Sequence, residues 1–202
     1  MKSSSEIVEI CSKYNIRNYT INEDGSIDVD GNVNLSFKKL TELPLNFNKV
    51  TGDFSCTHNE LTTLKGSPKY VGLDFYCHDN NKLTSLEYGP VEVGGDFSCV
   101  DNKYLTSLEH SPKKVGGDFY CRTCPLKDLY GISDDIGGII DVYETPLQSI
   151  IYDQVNIDFV RAFNIYRVIK DGKVVLKRLK YVMELFDMEY DLEKIKEYYE
   201  II

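Results

Sequence analysis

The chain has 202 residues, 42% of them hydrophobic, with a formal net charge of −9 and a pI near 4.9. This is enough apolar material for one continuous core, and the acidity opposes binding to a phosphate backbone, which needs clustered lysine and arginine. The start MKSSSEIVEICSKYN holds no apolar run long enough for a signal peptide and no later segment is long enough to span a bilayer, so a cytoplasmic protein with no nucleic-acid and no membrane partner is expected.

Residues 1–30 read as an N-terminal cap. Ser3 to Ser5 followed by Glu6-Ile7-Val8-Glu9-Ile10 predicts a capped short helix ending near Tyr14. Asn22-Glu23-Asp24-Gly25-Ser26 lies between two β-rich runs and predicts a hairpin turn.

From residue 31 to 152 one phrase returns every 21 or 22 residues: Asp53-Phe54-Ser55-Cys56, Asp74-Phe75-Tyr76-Cys77, Asp96-Phe97-Ser98-Cys99 and Asp118-Phe119-Tyr120-Cys121. A unit this short cannot bury its own apolar face, so it must stack on copies of itself as a solenoid. Six copies align on Leu35, Cys56, Cys77, Cys99, Cys121 and Val142, with Val33, Phe54, Phe75, Phe97, Phe119 and Ile140 two places earlier. Alternation with period two makes this a short strand with both residues inward. Three places after the anchor come Lys38, Asn59, Asn80, Asn102, Cys124 and Thr145, where an asparagine can bond backbone groups of adjacent rungs. Leucine rows follow at Leu40, Leu61, Leu83, Leu105, Leu126, Leu147 and at Leu43, Leu64, Leu86, Leu108, Leu129, Ile150. Each turn closes on Val50, Val71, Val93, Val115 or Ile136. Leu83 and Leu105 lie one residue further from their anchors, which predicts single-residue bulges there. Pro68, Pro90 and Pro112 make the returns extended or irregular, not helical.

The anchor cysteines share a slot with Leu35 and Val142, so they read as buried thiols, not as a disulfide framework. The column Asp53, Asp74, Asp96, Asp118 repeats at the Gly-rich turn and reads as a structural anchor, with a cation site as the lesser alternative. His58 and His78 sit on neighbouring rungs with Asp79 beside them, but the nearby cysteines point into the core, so no metal is assigned. No nucleophile setting and no P-loop appears, so no catalytic residue is assigned either.

Residues 153–202 change to helical spacing. Phe159, Phe163 and Tyr166 define one helix face, Asp171-Gly172 a break, Leu176, Leu179, Val182, Met183 and Phe186 a second face, and Leu192, Ile195, Tyr198, Tyr199 and Ile202 a third. A helical C-terminal cap is expected. Lys170, Lys173, Lys177, Arg178 and Lys180 concentrate positive charge, read as a solvated face with an acidic-partner patch as the alternative.

The rows match L-x-L-x-x-N-x-L, so the chain resembles the leucine-rich-repeat family across residues 31–152, with Phe and Cys in the first two slots. The fold expected is α/β: a leucine-rich-repeat solenoid of short parallel strands and irregular convex returns, with a helix/hairpin cap at one end and helices at the other. The wording NYTINEDGSIDVDGNVNLS, LTSLE-x-x-P-x-x-VGGDFYC and KDGKVVLKRLKYVMELFD is similar to uncharacterised leucine-rich-repeat-like proteins of large tailed bacteriophages. That resemblance implies a phage protein acting in the host cytoplasm.

Outward strand residues Ser55, Tyr76, Ser98, Tyr120 and Asp141 form one column and Thr57, His78, Val100, Arg122 and Tyr143 the next. On a curved solenoid they would line the concave sheet, the usual recognition surface, and Tyr and Arg are the types enriched at binding hot spots. The expected function is a non-enzymatic protein–protein interaction module without a cofactor, binding a host protein. The alternatives are a small-ligand or nucleotide sponge, with a pocket between the last rungs and the helical cap, or a structural component of the virion.

Overall fold

In the computed structural model, residues 2–151 and 154–202 are described, and they form a solenoid of parallel strands closed by helices at its two ends. The expected seam between solenoid and helical cap, at residues 152 and 153, lies outside the described residues.

Helix α1 (Ser4–Lys13) begins on the predicted signal: the Ser3 hydroxyl accepts from the Glu6 amide and the Glu6 carboxylate accepts from the Ser3 amide. It buries Ile7 and Cys11 over the first rung. Strands β1 (Tyr19–Ile21) and β2 (Ile27–Val29) form the predicted antiparallel hairpin.

Each rung then contributes two short strands. β3 (Val33–Asn34), β5 (Phe54–Ser55), β7 (Phe75–Tyr76), β9 (Phe97–Ser98), β11 (Phe119–Tyr120) and β12 (Ile140–Asp141) stack in parallel and in register, so six strands bound five full turns. β13 (Gln154–Val155) pairs antiparallel with β12 and finishes that edge. Between β3 and β12 the described returns carry no helix, as expected, and only the last rung has a short 3-10 turn, Pro146–Ser149; the closing valines of the inner rungs sit in strands of their own. β4 (Phe47–Val50), β6 (Tyr70–Val71), β8 (Glu92–Val93) and β10 (Lys114–Val115) continue from β2 as a second parallel sheet.

The core lies between the two sheets, and every inward row of the inner rungs is buried. The phenylalanines form a stacked spine, with ring centroids 5.5 Å apart from Phe54 to Phe75 and from Phe75 to Phe97, and 4.9 Å from Phe97 to Phe119. Leu40, on the first rung, is only partly covered. All six cysteines are free and buried. Each anchor thiol donates to a carbonyl of the next rung, as Cys77 does to Ser98 O at 3.4 Å.

Three polar devices hold the rungs in register. Asn59, Asn80 and Asn102 form the predicted ladder: the Asn102 amide donates to Cys77 O and Cys99 O, while its oxygen accepts from the Asn80 backbone. Cys124, in the same slot, donates its thiol to Cys99 O at 3.2 Å. The aspartate column is likewise structural: Asp53, Asp74, Asp96 and Asp118 each accept, through Oδ1, the amide of the following rung, at 3.2, 2.7, 2.8 and 2.9 Å. The third device is a corner. Two places after each anchor, Phe37, His58, Asp79, Asp101, Thr123 and Glu144 all take positive φ, a conformation that histidine and aspartate tolerate better than phenylalanine or threonine. The cost is offset because the first five of these amides donate to the next rung, as His58 N does to His78 O at 3.2 Å, and the Glu144 amide donates to Gln148 Oε1.

At the C-terminal end, α2 (Ile157–Ile165) is capped by Asn156 and buries Phe159, Val160 and Phe163. Tyr166, expected on that face, is instead exposed, because the helix ends at Ile165. Asp171-Gly172 is the tip of a hairpin of β14 (Ile169–Lys170) and β15 (Lys173–Val174), with both tip residues at positive φ. Helix α3 (Leu176–Leu185) buries Leu179, Val182 and Met183, and α4 (Leu192–Lys196) buries Ile195. Tyr198, expected on the third inward face, is exposed because that helix stops at Lys196, whereas Tyr199 turns in and donates to Lys127 O. No helix among the described residues is long and apolar enough to cross a membrane.

Candidate functional site

Strand pairing places the predicted outer residues side by side, in the order Asn34, Ser55, Tyr76, Ser98, Tyr120, Asp141. They are not equally available. Ser98 is paired between Tyr76 and Tyr120 and is covered, and Thr57 donates to Ser36 Oγ and is covered as well. Asp141 has only 1% of its surface exposed, because β13 crosses beside it and Arg122 lies over it. These three belong to the framework, not to the contact surface expected from their outward parity. Ser55 is half-buried and shares a hydroxyl contact of 2.7 Å with Ser36.

The large side chains are available and fixed. Tyr76 donates its phenol to Asp74 Oδ2 at 2.7 Å, and Tyr120 donates to Asp118 Oδ2 at 2.8 Å. Each aspartate therefore serves twice, one oxygen to the next rung and the other to the tyrosine two places on. Arg122 Nη2 donates to Asp141 Oδ2 while its guanidinium lies 5.6 Å from the centre of the Tyr120 ring. Tyr143 is exposed, and Val100 and His78 are half-buried. The Tyr–Asp bonds had a signal in the sequence: residues two apart on a strand face the same way, and an aspartate precedes each outer tyrosine by two.

The bond to the Asp118 carboxylate, then burial, pushes the Tyr120 phenol up to about 12, and the same causes raise Tyr76. The folded chain thus holds the Tyr120 proton more tightly than the unfolded chain. The resulting stabilisation is complete below about pH 10, the ordinary phenol value, and is lost as pH rises through about 12. Tyr120→Phe should cost about 1 kcal/mol at neutral pH and remove one late-ionising phenol from a spectrophotometric titration.

The four anchor thiols offer little chemistry. Burial pushes Cys56 up to about 12 and raises Cys77 and Cys121 well above the ordinary thiol value, and a hydrogen bond with Cys124, then burial, does the same for Cys99, so they are poor nucleophiles.

Two further groupings are present. His58, His78 and Asp79 converge at one corner of the solenoid. A cleft of about 400 Å³ lies between the last rungs and the helical cap, lined by Asp128, Tyr130, Phe163, Asn164, Arg167 and Lys170 among others. Of the five basic residues of the C-terminal segment, Lys173 pairs with Glu200 at 2.8 Å and Arg178 donates to Arg167 O, while Lys170 ends β14 and Lys177 and Lys180 lie with Arg178 on α3.

Comparison with known protein families, with curated proteins and with solved structures finds no match to this chain.

Proposed function

We propose that the chain is a non-enzymatic binding module that engages a protein through the outer face of its seven-stranded sheet. The observation that carries this reading is the fixed array of Tyr76, Tyr120 and Arg122, each held by a carboxylate of the same sheet. Aromatic and arginine side chains that are already ordered lose little conformational freedom on docking, which is the cost that most limits affinity. The raised thiols and the acidic surface are consistent with binding of a protein, not with covalent catalysis or nucleic-acid contact.

With the resemblance to leucine-rich-repeat-like phage proteins, the partner proposed is a host protein met in the cytoplasm of an infected bacterium. The cleft at the helical cap favours the second reading, a small-ligand or nucleotide sponge, since its volume is within the range of ligand sites.

The test is capture of a partner from host lysate by the wild-type chain and by a Tyr76→Ala/Tyr120→Ala variant that keeps Arg122 on Asp141. The double variant is expected to retain less than about a tenth of the captured partner, as for loss of two hot-spot aromatics. Equal capture by a variant with unchanged circular dichroism would remove the sheet face as the contact surface.

A further inference from the structure

We propose that His58, His78 and Asp79 form a binding site for a divalent transition-metal ion. The three come from two neighbouring rungs, and one donor atom from each lies within 4.8 Å of the others. Asp79 Oδ2 is 2.8 Å from His78 Nδ1 and 3.5 Å from His58 Nε2. Two donors bound to one ion at zinc–nitrogen and zinc–oxygen lengths, about 2.0–2.2 Å at a tetrahedral angle, stand about 3.4 Å apart. The two separations from Asp79 fall on either side of that value and no two of the three donors stand more than 4.8 Å apart, so side-chain rotation without backbone change would seat an ion.

The rings are already aimed. Phe37 stacks on His58 with centroids 4.2 Å apart and planes 15° from parallel. His58 meets His78 edge-on at 5.3 Å and 87°, and Tyr76 flanks His78 at 6.3 Å. Phe37 is 71% open to solvent, and its stacking explains why a phenylalanine stands there, since it holds an imidazole in place from the rung before. The backbone contributes as well. Positive φ at His58 and Asp79 puts both side chains at the same corner on successive rungs. One rung further on, the equivalent carboxylate, Asp101, accepts from Thr123 Oγ1 at 2.7 Å instead. Among the described residues, this is the one such converging group.

The donor set fixes the class of ion. Two imidazole nitrogens and one carboxylate oxygen suit zinc, nickel or copper, whereas calcium and magnesium prefer all-oxygen sets. Thiolate is not available, since Cys56 and Cys77 point inward and donate to Tyr76 O and Ser98 O. The His58, Asp79 and His78 side chains are 38%, 30% and 29% exposed, so an ion can enter and keeps positions open for water or an outside ligand.

Isothermal titration of the full chain with zinc chloride, with magnesium chloride as the control, tests this. One zinc ion per chain is expected to bind saturably, with no saturable heat from magnesium. Asp79→Asn and His78→Phe should each weaken zinc binding at least about tenfold while leaving circular dichroism unchanged, since asparagine tolerates positive φ and phenylalanine keeps the ring packing. His58→Asn supplies a second variant at a corner position should either fail to fold. His110→Asn, on another part of its repeat, should bind as wild type. Absence of saturable zinc binding, or binding that survives all the triad variants at full affinity, would overturn the proposal.

Discussion

Replacing Phe97 with alanine is expected to destabilise the chain by about 3–5 kcal/mol, the range for deleting a buried aromatic side chain. Phe97 has no solvent exposure and stacks between Phe75 and Phe119, so two ring contacts are lost together with the side chain's burial. Rung spacing is set by in-register backbone pairing of Phe97 with Phe75 and with Phe119, so the neighbours cannot slide in to fill the space. In a solenoid each rung leans only on its neighbours, so the weakness should be local. Urea denaturation should report the loss, and hydrogen exchange should accelerate first in β7, β9 and β11, with α1 and α3 protected longest.

Asn102→Leu is expected to cost about 1–3 kcal/mol, the penalty for one buried polar group left without its partner. Asn102 is fully buried, and its removal takes the acceptor from the Asn80 amide at 2.9 Å, while Cys77 O keeps the Asn80 side-chain amide and Cys99 O keeps the Cys124 thiol. Asn102→Cys is the informative companion. Cys124 occupies the equivalent slot one rung later and keeps one of the ladder's bonds through its thiol. The cysteine variant should therefore be less destabilised than the leucine variant in the same denaturation experiment. Equal losses would mean that packing, and not the ladder, sets the penalty.

The rows that define the solenoid could be read from the chain because each inward position repeats five or six times, which averages away the exceptions at any one rung. The asparagine ladder was legible for the same reason. The second sheet was harder to see. Three of its strands are two residues long with one residue inward, as in Tyr70–Val71, and a single valine carries no alternation. The outer face was legible in its parity but not in its exposure. Ser98 and Asp141 point outward, yet the first is covered by paired tyrosines and the second by Arg122 and β13, and neither covering follows from spacing. The histidine corner was visible only as proximity on neighbouring rungs. That Asp79 and His58 share one corner depends on the left-handed turn at each rung, which phenylalanine and threonine in that column disguise.

The aspartate column has a consequence for how such a chain can change length. An alanine methyl at Gly95, Gly117 or Gly138 would stand 2.1, 2.1 or 1.9 Å from the Oδ1 of Asp74, Asp96 or Asp118 one rung earlier. The carboxylate occupies the volume that a side chain would need, so an aspartate on one rung writes a glycine into the next. The slot after Asp53 holds Leu73, and there the carboxylate stands furthest from the amide it accepts, 3.2 Å. Copying a 22-residue stretch between Asp74 and Asp118, where the spacing is 22, adds one column aspartate and its matching glycine together and leaves the junctions in register. Tandem duplication therefore yields a foldable array at once, whereas inserting or deleting part of a unit separates the pair and puts a side chain where an oxygen already sits.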